Sequence, residues 1–308
     1  MKKRIFVTGA SGFVGRHVLR ELISRDYFVH ALARKTSAVV TNDNIRVFEG
    51  DLFDGQVLKN AMDGCDAAIH LVGIIMEDRS RNATFERIHV EGTRAVVQAA
   101  QENGIRRYIQ MSALGARANA PTQYHRTKAA AEEIVKSSGM SWTILRPSLI
   151  HGPDGEFMRV EAKWARGKAP PFLFMPYFGS GLLGTGGAGL LQPVFVDDVA
   201  RAFVDALENP ATENRTFEIG GPERISWPAM HEMVSTILRG KKKTSIAIPT
   251  WWAKILTQVT PAKLLPFNRD QIEMSQEDNV CDLAPFEEAF GWKPREFRAM
   301  LQQYASQL

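Results

Sequence analysis

The chain has 308 residues, of which 44% are hydrophobic and 23% charged, and its 38 basic residues barely outnumber its 34 acidic residues. This composition predicts a globular protein with enough apolar material for a substantial core. Because the small charge surplus is dispersed along the chain, we expect no nucleic-acid-binding surface.

The two cysteines, Cys65 and Cys281, lie far apart in the sequence, which is more typical of a reducing compartment than of a disulfide framework. The amino-terminal segment reaches glycines after a short apolar run, unlike a signal peptide. No run approaches the roughly 18 apolar residues of a membrane span. We therefore expect a cytoplasmic protein without a transmembrane segment.

Up to about residue 150 the sequence alternates between short β-rich runs and helical patterns, as repeated βαβ units do. The predicted strands are Arg4–Thr8, Phe28–Ala33, Ile45–Glu49, Ala67–Leu71, Arg107–Met111 and Trp142–Arg146. The predicted helices are Phe13–Arg25, Gln56–Met62, Phe85–Asn103 and Tyr124–Ser137, with Gly104 placed to end the third. This pattern predicts an α/β fold with a doubly wound parallel sheet.

Beyond residue 150 the alternation stops. Pro170-Pro171 and the glycine-rich stretch at 179–189 predict a long loop. The later predicted elements are a strand at Thr216–Ile219, a helix at Trp227–Arg239, a strand at Ser245–Ile248 and helical material to the end. We therefore predict a first domain over 1–150, with part of 190–220 as a candidate for return to it. A smaller, discontinuous α+β lobe over 151–308 would serve a substrate or a partner.

The segment VTGASGFVG at 7–15 places three glycines between the first strand and the first helix. Gly9 permits a tight turn, Gly12 lets backbone approach a pyrophosphate, and Gly15 allows close helix–strand packing. The remaining loop and helix-start positions, where free N–H groups meet the anion, are Ser11, Phe13 and Val14. The arrangement predicts a Rossmann-type dinucleotide-binding domain, with an ordinary glycine turn as the alternative.

The end of the second strand bears on the choice of cofactor. An acidic residue that binds the ribose 2′-hydroxyl is expected there, but the chain has Ala33-Arg34-Lys35. A guanidinium engages a 2′-phosphate, whereas a carboxylate repels it. The sequence thus favours NADP(H), and NAD(H) is the alternative if Arg34 and Lys35 are only solvated turn residues.

Five motifs resemble those of the extended and atypical short-chain dehydrogenase/reductases in order and rough spacing. They are TGASGFVG, GDL at 50–52, HLVG at 70–73, YHRTK at 124–128 and RPSLIHGP at 146–153. Within that superfamily, MSALGA, QPVFVDDVARAF, the Trp-rich segment and DQIEMSQEDN resemble one atypical branch. It is the branch of the NADPH-binding accessory subunit of respiratory complex I and its bacterial relatives.

The resemblance implies roles for particular residues. Asp51 and Leu52 would flank the adenine, and Val72 and Gly73 would line the cofactor cleft. The segment from Pro147 to Ile150 would pass near the nicotinamide. The active-site pair of the superfamily would be Tyr124 and Lys128.

The spacing of Tyr124 and Lys128 suits this role because positions i and i+4 share one face of a helix. A nearby lysine cation is expected to lower the tyrosine pKa and make its hydroxyl a proton donor or acceptor. Active members normally add a Ser or Thr just past the fifth strand, where Leu114 falls in this chain. Ser112 is then either the third catalytic residue or a strand-end capping group.

We therefore expect an NADP(H)-dependent oxidoreductase that acts on an unidentified carbonyl or alcohol compound. One alternative is a non-catalytic module that holds NADPH within a larger assembly, as a structural or redox-sensing element. A weaker alternative is a sugar-nucleotide epimerase or dehydratase. The seven histidines show no metal-ligand spacing, so we expect no metal site.

The segment TWWAKILTQVTPAKLLP at 250–266 mixes tryptophans, aliphatic residues and two lysines at helical spacing. Packing inside the small lobe is one interpretation. The other is a docking face for a partner protein or a membrane surface.

Overall fold

The computed structural model describes residues 2–40, 42–260 and 267–308. Contacts within the chain divide it into two compact units. The first comprises Met1–Pro147, Val196–Ile219 and Leu283–Trp292, and the second comprises Ser148–Phe195, Gly220–Asp282 and Lys293–Leu308. In the described part of the chain, no helix is long and apolar enough to cross a membrane.

The strands, in chain order, are β1 (Arg4–Thr8), β2 (Phe28–Ala33), β3 (Ile45–Glu49), β4 (Ala67–His70), β5 (Arg107–Met111), β6 (Ser141–Pro147), β7 (Ile150–His151), β8 (Met175–Gly179), β9 (Val194–Phe195), β10 (Arg215–Ile219) and β11 (Ser245–Pro249). The helices are α1 (Phe13–Ser24), α2 (Gly55–Met62), α3 (Gly92–Glu102), α4 (Gln123–Lys136), α5 (Glu156–Ala165), α6 (Val196–Asp205), α7 (Trp227–Arg239), α8 (Thr250–Val259), α9 (Arg269–Met274), α10 (Ala284–Phe290) and α11 (Phe297–Tyr304).

The first unit contains a seven-stranded sheet in the order β10-β6-β5-β4-β1-β2-β3, and every neighbouring pair is parallel. Strand β4 is buried along its whole length, as expected for a parallel sheet with helices on both faces. The predicted doubly wound, Rossmann-type sheet is confirmed. The strand order reverses between β1 and β4, and the carboxyl ends of the strands at such a switch point are where these sheets bind ligands.

The third predicted helix differs in detail. The sequence predicts one helix over Phe85–Asn103, but the structure has a π-helical turn at Glu86–Glu91 before α3 begins. Periodicity over so few residues does not distinguish i→i+5 from i→i+4 bonding. Gly104 ends α3 as predicted, with φ of 71° and with Ile105 N donating to Ala100 O at 2.9 Å.

Two later segments complete the first unit. Strand β10 pairs with β6 from Arg215 opposite Thr143 to Ile219 opposite Pro147. The sequence pattern did not indicate the second segment, Leu283–Trp292, which packs by aromatic contact on β10. There the Phe217 and Phe290 ring centroids lie 5.2 Å apart.

The second unit contains two parallel strand pairs, β8 with β11 and β7 with β9. Its helix α7 matches the predicted Trp227–Arg239, and Ser226 caps it by accepting from Ala229 N. His151 is fully buried, and its Nδ1 lies 2.9 Å from the Tyr304 hydroxyl. Burial lowers the His151 pKa to about 3, so this histidine is a neutral part of the core.

A buried cation joins the sheet of the first unit to the later segment Val196–Ile219. Arg107 begins β5, and its guanidinium donates to Ala206 O at 2.6 Å and to the hydroxyls of Thr143 and Thr212 at 2.6 and 2.9 Å. Burial lowers the Arg107 pKa to about 10. Because these acceptors are themselves buried, losing the guanidinium would remove a charged donor from three buried oxygens.

We predict that Arg107→Ala lowers the free energy of unfolding by about 3 kcal/mol, since a charged donor to three buried oxygens is removed. Urea denaturation monitored by circular dichroism measures this loss. The adjacent Arg106 is exposed, so Arg106→Ala is the matched control and should change stability by less than about 0.5 kcal/mol. Equal stabilities of the two variants would contradict the prediction.

Candidate functional site

The glycine loop between β1 and α1 has no room for side chains. Gly9 has φ of 72°, and a Cβ there would lie 3.2 Å from the Leu71 backbone and Cβ. A Cβ on Gly15 would lie 2.1 Å from Gly9 O and 2.9 Å from the Ala10 backbone. Gly12 N donates to Gly9 O at 2.9 Å, which closes the turn. The loop therefore has the tight turn and close helix–strand packing that a dinucleotide loop requires.

The start of α1 is left open for an anion. Gly12 is its N-cap residue and supplies no side-chain cap, and the first turn contains no acidic residue. The first backbone N–H groups of the helix, at Phe13, Val14 and Gly15, therefore have no side-chain acceptor from the cap position. Ser11 is half-buried, and its carbonyl accepts from Arg16 at 3.0 Å. These residues fit a pyrophosphate, because a helix start offers both donors and a positive dipole end.

The basic pair lies directly after β2. Arg34 and Lys35 are both exposed at the carboxyl end of that strand. One carboxylate is nearby, since Glu49 accepts a hydrogen bond from Thr36 N at 3.1 Å. The two cations follow the strand next to β1, where a Rossmann-type domain binds the adenosine ribose.

The other expected cofactor residues differ in burial. Asp51 is exposed and caps the turn that follows β3 by accepting from Phe53 N at 2.8 Å. Leu52 is 6% exposed and belongs to the hydrophobic core, so little of it is open to a ligand. Val72 is half-buried and Gly73 is exposed, directly after β4. Pro147 ends β6, whereas Ile150 lies in the second unit and pairs with Val194.

Helix α4 carries the tyrosine and the lysine. It begins at Gln123, and Thr122 caps it by accepting from His125 N. Lys128 is 4% exposed, and its Nζ donates to Met111 O at 2.7 Å. Nζ also lies 3.5 Å from the position that a Cβ on Gly73 would take. The Tyr124 ring is half-buried, with its centroid 5.5 Å from the His89 centroid and 5.8 Å from the Phe85 centroid.

The protonation equilibria of this pair are both shifted by burial. Burial lowers the Lys128 pKa to about 8, although the Glu132 carboxylate opposes this shift. Burial raises the Tyr124 pKa to about 12. The direction for Tyr124 is opposite to the lowering expected from the neighbouring lysine, and its cause is the loss of hydration on burial. Near neutral pH both side chains therefore carry their protons.

Ser112 belongs to a different hydrogen-bond network. Its hydroxyl donates to Glu132 Oε1 at 2.5 Å, and Glu132 forms a bidentate pair with Arg146, with N–O distances of 2.8 and 2.7 Å. The sequence pattern did not single out Glu132 or Arg146. Leu114 is 5% exposed, and its backbone N–H donates to Pro147 O. The expected electrophilic hydroxyl thus has a structural partner, and an apolar side chain stands two residues later.

A buried histidine connects the loop that follows β4 to α4. His89 lies on the π-helical turn, and its Nε2 lies 3.1 Å from both the backbone N and the backbone O of Ile74. Its Nδ1 lies 2.9 Å from the Thr127 hydroxyl. Burial lowers the His89 pKa to about 2, so the ring is neutral. Sequence reasoning missed His89, because a single histidine on a helix is indistinguishable from a core residue.

A second buried histidine supports the glycine loop. The Thr8 hydroxyl accepts from Leu71 N at 3.3 Å, and its oxygen lies 2.6 Å from His70 Nδ1. Among the residues that the structure describes, His70 Nε2 has no hydrogen-bond partner. Burial lowers its pKa to about 3, with Lys128 as a smaller cause. A neutral ring thus joins the ends of β1 and β4.

The first unit also has an open cavity of about 830 Å³ at the amino ends of β1 and β2, opposite the glycine loop. Its charged residues pair with one another: Lys3 contacts Glu208 at 2.9 Å, and Arg25 contacts Asp205 at 2.6 Å. The cavity therefore offers little unpaired charge to a ligand. Throughout residues 2–40, 42–260 and 267–308, no group of three or more His, Cys, Asp or Glu side chains could hold a metal ion.

Comparison with known proteins finds a matching family and several relatives. A family model described as NAD(P)H-binding matches residues 9–166. Subunit 9 of the NADH dehydrogenase [ubiquinone] 1 alpha subcomplex, mitochondrial, from Arabidopsis thaliana is 32% identical over 255 residues, which cover 76% of this chain. The chain spans only 57% of the length of that relative.

Two bacterial relatives match about half of the chain. The ceramide reductase of Caulobacter vibrioides is 31% identical over 172 residues, covering 55% of this chain and 53% of its own. Sterol demethylase protein B of Methylococcus capsulatus is 32% identical over 169 residues, covering 48% and 51%. The family match includes Gly9, Gly12, Gly15, Tyr124 and Lys128.

Solved structures support the fold. The UDP-glucose 4-epimerase of Thermotoga maritima, with UDP-glucose, has a TM-score of 0.74 at 20% identity and covers 99% of this chain and 98% of its own. A short-chain dehydrogenase/reductase superfamily protein from Agrobacterium tumefaciens, with bound NAD, has a TM-score of 0.73 at 20% identity and covers 99% and 96%. The chain belongs to the NAD(P)H-binding family, and it is similar to a subunit of a NADH dehydrogenase.

Proposed function

We propose that the chain binds NADP(H) and reduces a carbonyl compound, with Tyr124 as the proton donor. The observation that supports this most directly is a buried lysine one helical turn from Tyr124, with Nζ 3.5 Å from the Cβ position of Gly73 after β4. Bound NADPH supplies the hydride. The glycine loop would hold the pyrophosphate, and Lys128 would bind the nicotinamide ribose.

The protonation states favour reduction as the direction of the reaction. A Tyr124 pKa of about 12 keeps its hydroxyl protonated at physiological pH, so this side chain can donate a proton to a developing alkoxide. The same pKa makes it a poor base for alcohol oxidation. With a pKa of about 8, Lys128 remains mostly cationic near neutrality and would attract the negative charge left on Tyr124.

The cofactor preference for NADP(H) rests on Arg34 and Lys35. Two exposed cations follow β2, and a guanidinium can bind a 2′-phosphate through two hydrogen bonds. Glu49 lies near this turn, and its carboxylate would repel the 2′-phosphate. Because the cations outnumber the carboxylate, we propose NADP(H) over NAD(H).

For the substrate class we propose a carbonyl on a lipid-like molecule. The support comes from two bacterial proteins that each match about half of this chain. Their names refer to ceramide and to sterol, which are both lipids.

A second candidate is a subunit that holds NADPH without turnover. The hydrogen bond from Ser112 to Glu132 and the buried Leu114 favour it, since neither residue then offers a free hydroxyl to a substrate carbonyl. The relative of respiratory complex I supports it as well, and with it a protein partner for this chain. The same two residues weaken an epimerase or dehydratase function. The cytoplasmic location stays a prediction, because the plant relative is named as mitochondrial.

We predict that Gly15→Ala abolishes measurable NADPH binding, because its Cβ would have to displace the backbone of Gly9 and Ala10. Fluorescence titration with NADPH measures the affinity. Gly55→Ala is the matched control, since a Cβ at this first residue of α2 meets nothing within 4 Å. Unchanged binding in the Gly15 variant would show that the loop does not hold the cofactor.

We predict that Arg34→Asp weakens NADPH binding at least tenfold while leaving NADH binding within about threefold, because a carboxylate repels the 2′-phosphate. Competitive titration with both nucleotides measures the change in preference. Arg20→Asp makes the same charge change at an exposed position of α1 and should alter both affinities equally. The assignment of NADP(H) fails if the Arg34 variant keeps its NADPH affinity.

We predict that the wild-type chain oxidises NADPH in the presence of a long-chain ketone or keto-sterol, and that Tyr124→Phe reduces this rate at least a hundredfold. NADPH affinity should stay within about threefold, since the phenol rather than the ring is lost. Tyr27→Phe, at a buried tyrosine before β2, is the control. Tight NADPH binding with no substrate-dependent oxidation across a broad carbonyl panel would favour the non-catalytic subunit.

A further inference from the structure

Glu132 is a buried carboxylate to which the proposed reaction gives no role. It lies on α4 four residues after Lys128, so the two side chains share one face of the helix. Glu132 is 1% exposed and Lys128 is 4% exposed. A buried charge is costly unless it is paired and hydrogen-bonded. The hydrogen bonds of this carboxylate to Ser112 and Arg146 lead to the carboxyl ends of β5 and β6.

Two consecutive residues at the end of β5 are bonded to this face of α4. Lys128 Nζ donates to Met111 O at 2.7 Å. The next residue, Ser112, donates its hydroxyl to Glu132 Oε1 at 2.5 Å. Ser112 N also donates to Leu145 O at 2.8 Å, which holds this end of β5 against β6. The carbonyl that orients the Lys128 ammonium therefore belongs to a backbone segment that Glu132 helps to fix.

The carboxylate of Glu132 is itself held in place by two cations. The Arg146 guanidinium donates to its two oxygens at 2.8 and 2.7 Å. Lys136 Nζ, one turn further along α4, lies 3.7 Å from Oε2. A bidentate pair fixes the position and the plane of a carboxylate. The negative charge one turn from Lys128 thus has a defined place.

This charge counters the effect of burial on Lys128. Burial lowers the Lys128 pKa to about 8, and the attraction of Glu132 acts in the opposite direction. The ionisable groups Tyr124, His70 and His89 around the ammonium are neutral near pH 7, with pKa values of about 12, 3 and 2. The other ionisable side chains of the π-helical turn and α3 are exposed or half-buried, and they are Glu86, Arg87, Glu91, Arg94 and Glu102.

We propose that Glu132 is a positioning residue for Lys128. Its bond to Ser112 fixes the carbonyl that accepts from the ammonium, and its charge keeps the ammonium protonated beside Gly73. This role rests on the proposed function, in which Lys128 binds the nicotinamide ribose and attracts the charge left on Tyr124. It also gives Ser112 a use, since its hydroxyl serves Glu132 and not a substrate carbonyl.

The titration of Lys128 in the free protein tests this role. Lysine labelled at Cε is incorporated for NMR spectroscopy, and the Lys128 resonance is the one missing from Lys128→Met. We expect Glu132→Gln to lower the pH midpoint of this resonance by at least about one unit, because the nearby negative charge is lost and the Arg146 cation stays. A role limited to holding the fold predicts the opposite direction, since looser packing would hydrate the ammonium and raise its pKa.

Two further variants make the result specific. Glu133→Gln is the matched control, because the Glu133 side chain is 72% exposed and its partner is Lys136 at 2.7 Å. The Lys128 midpoint should then stay within about 0.3 unit of the wild type. Glu132→Asp keeps the charge but shortens the side chain, so its midpoint should stay within about 0.5 unit. It keeps the test open if Glu132→Gln does not fold, which thermal melting checks.

The pH dependence of NADPH affinity is the second measurement. The contribution of the ammonium is present below the Lys128 pKa and is lost as the pH rises through it. We expect the wild-type affinity to fall through about pH 8, and that of Glu132→Gln to fall at a pH at least about one unit lower. At acidic pH the two affinities should agree within about threefold, because Lys128 is then charged in both.

The outcomes separate this role from the proposed function. An unchanged or raised Lys128 midpoint in Glu132→Gln would overturn the role, and so would a rise of about one unit or more in Glu132→Asp. NADPH binding by the wild type alongside such a result would leave the proposed function standing. A lowered midpoint in a chain that does not bind NADPH would support the coupling of Glu132 to Lys128 and contradict the cofactor assignment.

Discussion

The tightest backbone packing in the described part of the first unit is the contact between α1 and the loop that precedes it. Gly9 O lies only 2.1 Å from where a Cβ on Gly15 would begin, so the helix can approach the loop this closely only with glycine at that position. Strand β1, next to the central strand of the sheet, is held on one side by β2 and on the other by β4. The switch point beside β1, the open start of α1 and the histidine pair at the carboxyl edge all depend on this packing.

Around that edge, burial decides what each ionisable group can do. Lys128 keeps its proton near neutrality although burial lowers its pKa to about 8, and Tyr124 keeps its proton because burial raises its pKa to about 12. His70 and His89 have pKa values of about 3 and 2, so they serve as neutral hydrogen-bonding struts and not as proton carriers. Glu132, on the same helix as Lys128, bonds to Ser112 after β5 and to Arg146 on β6. A reductase site and a static cofactor site would share most of these features, and they differ in whether any hydroxyl polarises the substrate.

The two units present different chemistry to their surroundings. In the first unit, charged side chains pair with one another around the cavity at the amino ends of the strands, where Lys3 and Arg25 have carboxylate partners. In the second unit, Trp251 and Trp252 are 46% and 47% exposed, so packing inside the unit does not cover the whole of the predicted segment 250–266. Residues 261–266 of that segment lie outside the described residues.

The sequence by itself determined the sheet class, the position of the glycine loop and the spacing of Tyr124 and Lys128, because these depend on local periodicity and on glycine at fixed positions. It did not determine the π-helical turn before α3, the return of Leu283–Trp292 to the first unit, or the partners of Ser112 and His89. Those contacts join residues that are distant in the chain or depend on one extra residue in a helical turn. The same limit applies to the pKa of Tyr124. The lysine at i+4 was visible in the sequence. The burial that raises the tyrosine pKa exists only once the helix is packed against the rest of the unit.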